Sequence, residues 1–177
     1  CAKVTIADYW TLSVRRSAYL VVAPQVAALG NYRHGLIDCL VDRKLQHQDT
    51  QVRLLACQAL AKLAEGPSKE TLAYINDSIL PKLTTRALNA DQPGNGVPTV
   101  GVVSAGIVPM RHGAVAGAAA LVRTVLGDVN SENQNALRNL VPSLEKARAY
   151  RGRGGEVVRQ AACELICCIA ATVSWPF

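Results

Sequence analysis

Apolar positions in Asp49–Leu63 recur at helical spacing. Val52, Leu55, Ala56, Ala59, Leu60 and Leu63 follow one another at intervals that place them on one side of a helix. At about 3.6 residues per turn they form a continuous apolar face. Asp49, just before the run, can accept hydrogen bonds from the first free backbone N–H groups. Gly66-Pro67 ends it, with glycine supplying a left-handed exit and proline unable to continue.

The same template returns along the chain. Val52-Arg53 with Ala56 reappears as Val14-Arg15 with Ala18, as Met110-Arg111 with Ala114, and as Val158-Arg159 with Ala162. In each copy an apolar residue opens the stripe, Arg follows, and Ala stands one helical turn beyond the opening residue. With Pro93–Val108 set aside, the spacing approaches the roughly 40–47 residues of HEAT or armadillo repeats. The expected fold is all-α, an α-solenoid of HEAT/armadillo-like helical hairpins. Repeats are expected at roughly 11–45, 49–88, 110–150 and, in part, 156–173.

Between the template helices lie partner helices. Thr11–Leu29 holds the first template helix, bent at Pro24 by the loss of the hydrogen bond to Leu20. Tyr32–Leu45 follows, with Leu36, Ile37, Leu40 and Val41 on one face. Ser68 can cap a short helix to about Ile75, and Asp77–Leu88 is its partner. Glu132–Tyr150 and Glu156–Val173 complete the set around Met110–Leu126. Pro81 and Pro142 each sit among apolar residues, and each either opens its helix proper or kinks it. Gly113 and Gly117 leave room for a neighbouring helix to come close. Cys1–Trp10 reads as a frayed end and Ser174–Phe177 as a stop.

Residues 89–109 depart from the pattern. Pro93, Pro98 and Pro109 stand among Gly94, Gly96, Gly101 and Gly106, so no helix is expected there. Pro93–Val108 reads as a mobile loop insert in preference to a binding element, with its apolar stretch Val97–Val108 able to pack on the solenoid or form a partner strand.

Composition alters this picture only slightly. Half of the 177 residues are hydrophobic but only 5% are aromatic, so Ala, Val and Leu fill the core. The chain opens on Cys1 rather than Met, which fits a fragment or a processed chain. The net charge of +6 favours acidic partners. With no compact Lys/Arg run, the charge reads as a solvated basic face rather than a nucleic-acid site. Most of the six cysteines lie in apolar helical stretches and no CxxC occurs, which suits a reducing, cytoplasmic compartment. Cys163 and Cys167 are a helical turn apart, but two ligands without a nearby His make a poor metal site. No apolar run reaches the roughly 18–20 residues of a membrane span.

Candidate chemistry is sparse. Arg151-Gly152-Arg153-Gly154-Gly155 before a helix has the outline of a phosphate loop, but no GK[ST] follows and Glu156 occupies the anion's place. The alternative is a tight turn between repeats that leaves Arg151 and Arg153 open to a partner. His34, His47 and His112 each stand alone, with no paired nucleophile and base. No enzymatic residue set and no cofactor site is expected. Arg111 and His112 read as inter-repeat hydrogen-bonding groups or partner contacts. The recurring Arg15, Arg53, Arg111 and Arg159 bond neighbouring carboxylates and helix ends, or else meet a partner.

Specific strings add a family resemblance. Leu36-Ile37-Asp38, then Lys44-Leu45-Gln46-His47-Gln48-Asp49, then Arg53 with Ala59-Leu60, resemble the HEAT region of the tubulin-folding cofactor D family. Met110-Arg111-His112-Gly113 is similar to that family's MRHG. Tyr150-Arg151-Gly152 with Gly154-Gly155 and Arg159-Gln160-Ala161 resembles its YRGxGGxxxRQA. The strings keep the family's order over roughly Ser13–Ile169. The family usually carries Trp where Gln48 stands and an apolar residue where Arg153 stands.

The resemblance implies a non-enzymatic chaperone scaffold in the cytoplasm, associated with the cytoskeleton. Such a scaffold captures β-tubulin, binds an Arf-like small GTPase and works with tubulin cofactors E and C. Together they assemble and disassemble the α/β-tubulin heterodimer and stimulate its GTP hydrolysis, with no membrane or nucleic-acid partner. Candidate partner-binding or inter-repeat residues are Arg111, His112, Tyr150, Arg151 and Arg153. A HEAT adaptor of the nuclear-transport or phosphatase-scaffold type is the alternative.

Overall fold

The computed structural model describes residues 12–90 and 103–171, and every regular element among them is helical. The expectations for Cys1–Trp10, for Pro93 to Val102 and for Ser174–Phe177 lie outside the described residues. The helices are α1 (Leu12–Ser17), α2 (Ala23–Ala27), α3 (Arg33–Cys39), α4 (Thr50–Leu63) and α5 (Lys69–Tyr74). They continue as α6 (Leu80–Leu88), α7 (Val103–Val125), α8 (Ser131–Lys146) and α9 (Gly155–Ala170). Packing alternates along the chain between two rows. In one row α2 meets α4, α4 meets α7, and α7 meets α9. In the other, α3 meets α5 and α6 meets α8. The rows touch where α3 meets α2 and α4, where α6 meets α7, and where α8 meets α9.

Local chemistry sets the helix starts. The Asp49 side chain accepts from the Gln51 N–H at 2.8 Å, and Ser68 Oγ accepts from the Thr71 N–H at 3.2 Å. Asn130 caps α8 in the same way, accepting from the Asn133 N–H at 2.8 Å. Each holds an N–H that has no intrahelical acceptor. Asp49→Ala is expected to cost about 1 kcal/mol of stability. A urea midpoint equal to that of the parent chain would contradict this.

The prolines follow two different rules. Pro24 and Pro81 each stand two residues after a π turn, Ala18–Val22 and Ile75–Ile79. There Ala23 N–H donates to the Ala18 carbonyl and Leu80 N–H to the Ile75 carbonyl. The wide turn offsets the ladder where the proline ring would meet the carbonyl four residues back. As a result α5, its π turn and α6 run on without a break, where separate helices to about Ile75 and from Asp77 were expected. Pro142 and Pro109, by contrast, lie inside α8 and α7.

Helix α7 is the centre of the fold and the largest departure from expectation. It begins at Val103, so Val103–Pro109, assigned above to the loop insert, is helix. Every residue from Pro109 to Ala119 is buried. A stretch of helix enclosed on all sides has no polar face, and burial there outweighs the propensity cost of Pro109, Gly113 and Gly117. Leu60, Leu83, Leu121 and Leu165 are fully buried in the common core. Each such side chain contributes roughly 1.5–3 kcal/mol.

Side chains cross-link the second row. Tyr74 OH donates to Asp38 Oδ1, and the Tyr74 ring stacks on His34 with centroids 4.2 Å apart. Lys82 and Arg86 both pair with Asp42, and Arg86 also donates to the Val41 carbonyl. Burial works to raise the Asp42 carboxyl, but bonds and charge from Lys82 and Arg86 hold it below its ordinary value.

Candidate functional site

The polar interior centres on Arg53, in the first turn of α4 and 2% exposed. Its Nε donates to His112 Nδ1 on α7 at 2.9 Å. One Nη donates to the carbonyls of His47 and Gln48 at 2.6 and 2.8 Å, and the other to Thr50 Oγ1 at 2.8 Å. The guanidinium thus ties the turn before α4 to its own helix and to the next helix of the row. His47 Nδ1 accepts from the Asp49 N–H, which stiffens the same turn.

His112 accepts at Nδ1, so it is the neutral imidazole with its proton on Nε2. Burial first, and then the Arg53 charge, lowers its pKa from 6.5 to about 4, while Glu164 acts in the opposite sense. The unfolded chain takes up this proton near 6.5, the folded chain only near 4. Stability from this group is therefore complete above about 6.5 and is lost as pH falls towards about 4. In His112→Asn the side-chain oxygen can accept from Arg53 without titrating. This variant is expected to flatten the fall in thermal midpoint between those pH values. An unchanged slope would place the acid-sensitive group elsewhere. Nearby Cys57 is driven up to about 12, chiefly by burial, and stays a thiol.

Arg111 repeats the arrangement one helix further on. It is 7% exposed, and its Nε donates to the Ala87 carbonyl at the end of α6 at 3.0 Å. Arg53 and Arg111, at matched template positions, thus both bond carbonyls of the chain that precedes their own helices. Arg111 and His112 lie inside the protein, 7% and 4% exposed. The other two copies differ: Arg15 is half-buried and Arg159 is exposed. The alanines keep the pattern better, since Ala56, Ala114 and Ala162 are buried and Ala18 is half-buried.

Tyr150, Arg151 and Arg153 lie together at the corner between α8 and α9. Gly152 and Gly154 adopt left-handed φ values of 88° and 84°. Gly155 packs so tightly that a Cβ there would lie 2.0 Å from the Tyr150 carbonyl oxygen. The glycines of the motif therefore serve a tight turn. Tyr150 is half-buried, and burial is the first cause of its raised pKa. Arg151 and Arg153 are exposed.

A buried Asn76–Asn133 bridge was not legible in the sequence. Asn133 Nδ2 donates to the Asn76 carbonyl at 2.7 Å, and Asn76 Nδ2 donates to the Asp128 carbonyl at 3.0 Å. Asparagines at such separation carry no spacing signal. Among the described residues no group of three or more His, Cys, Asp and Glu is placed to hold a metal ion. Nor is any helix among them long and apolar enough to cross a membrane. Compared with known protein families the chain matches none, and no solved structure matches it.

Proposed function

We propose that this chain is part of a HEAT-type α-solenoid and a non-enzymatic scaffold of the tubulin-folding cofactor D kind. One observation carries the reading. Two strings that resemble the family meet in space, because Arg53 of the first bonds His112 of MRHG. The remaining string forms the α8–α9 corner, so its glycines also serve a joint between helices. The alternation of helices between two rows supports the solenoid, since each hairpin contacts its neighbours in order. Support for a scaffold without chemistry of its own comes from a neutral, enclosed His112 and a protonated Cys57.

On this reading the chain contacts β-tubulin and an Arf-like small GTPase in the cytoplasm and acts alongside cofactors E and C. The test is analytical ultracentrifugation of the 177-residue chain with purified tubulin and, separately, with the GTPase. Co-sedimentation with tubulin is expected. Binding to neither protein would overturn the proposal.

A further inference from the structure

The α8–α9 corner gathers cations that no ion pair among the described residues neutralises. Lys146, Arg148, Arg151, Arg153 and Arg159 are all exposed there. Only Glu145 and Glu156 oppose them within residues 145–159, so this stretch carries half of the chain's net charge of +6. Several cations elsewhere are engaged. Lys82 and Arg86 pair with Asp42, Arg123 pairs with Glu164, and Arg53 and Arg111 are buried on carbonyls. At the corner, Glu145, Lys146, Arg148, Tyr150, Arg151 and Arg159 line an open cleft of about 660 Å³, four cations against one carboxylate.

Arg148 sharpens the case. It closes α8 with a left-handed φ of 54°, the one such non-glycine among the described residues. Its N–H donates to the Glu145 carbonyl, and the Ala149 N–H to the Leu144 carbonyl. That is the helix-ending turn in which glycine is the residue without strain. Here the position holds a cation on the rim of the cleft instead.

We propose that this corner is a docking surface for an acidic protein segment, a run of Glu or Asp carboxylates laid across the α8–α9 cleft. Exposed guanidinium groups suit carboxylates, which they bind through paired N–H donors. A nucleic acid would instead call for a stripe of cations that follows a phosphate backbone. Here Lys146, Arg148, Arg151 and Arg159 line one cleft with a single carboxylate, Glu145, and Arg153 is exposed on the same turn. The assignment goes beyond the scaffold reading and does not require tubulin as the partner.

Fluorescence anisotropy with a labelled polyglutamate peptide tests it on the 177-residue chain. Saturable binding at low salt, weakened as salt rises, is expected. Arg151→Glu with Arg153→Glu should weaken binding by more than about tenfold, through lost attraction and added repulsion. Arg148→Gly should weaken it roughly two- to fivefold. Its thermal midpoint should equal or exceed that of the parent, because the strained position is relieved. A merely structural Arg148 would not show loss of binding together with kept stability. If the charge-reversed variant does not fold, Arg148→Gly decides the matter. Absence of saturation, unchanged affinity in the folded variants, or tighter binding of a single-stranded oligonucleotide of equal charge would each overturn the proposal.

Discussion

Gly113→Ala is expected to lower the free energy of unfolding by roughly 3 kcal/mol, the upper end for overpacking a core. A Cβ on Gly113 would stand 1.6 Å from the Leu45 carbonyl oxygen and 2.6 Å from its carbonyl carbon. These are backbone atoms, so no rotamer change clears the space. The Leu45 N–H donates to the Leu40 carbonyl at 2.9 Å, which holds that turn in place. One helical turn on, Gly117 receives the Leu45 side chain, so α7 cannot move aside without disturbing a second contact. Gly35→Ala is the control. Gly35 lies in α3, and a methyl group there would meet nothing within 4 Å. At that position alanine should stabilise the chain by about 0.5–1 kcal/mol. Urea titrations of both variants check the pair. A Gly113→Ala loss below about 0.5 kcal/mol would refute the close approach of α7 to Leu45.

Arg53→Ala is expected to cost about 3–5 kcal/mol, the range for breaking a buried charged network. The His47 and Gln48 carbonyls and His112 Nδ1 would lose their donor, and a cavity would remain between α4 and α7. Arg53→Lys should recover little, because a single ammonium cannot serve acceptors on three sides. A double-mutant cycle with His112→Ala isolates the bond between the helices and should show coupling above about 0.5 kcal/mol. Additive losses would mean that Arg53 acts only on the turn before α4.

Several elements were legible because their causes are local. Helix α4 starts after Asp49 and ends at Leu63, as its stripe and cap require. Ser68 caps the next helix as expected. Gly113 and Gly117 mark a close approach, as their place on a small-residue face suggested. The start of α7 was not legible. Gly106 and Pro109 are helix breakers by propensity, yet both lie inside α7, Pro109 buried and Gly106 half-buried. The length of the α5–α6 run was also hidden, because the π turn before Pro81 lies in sequence that gives no sign of it. The candidate residues divided in a way that no pattern could show. Arg111 and His112 went to the interior, while Arg151 and Arg153 stayed at the surface. Arg148 was missed because a left-handed arginine looks like any other in sequence.

The sequence by itself determined the helical class, the caps that open α4 and α5, and the apolar face of α4. Each follows from side chains within a few residues of one another, where propensity, capping and periodicity act directly. Only the tertiary structure decided which arginines of one template are buried. Arg53 and Arg111 each find carbonyls left by the chain before their own helix, whereas Arg159 opens onto solvent at the α8–α9 corner. A guanidinium can be buried only where acceptors converge on it, and that convergence depends on residues far apart in the chain.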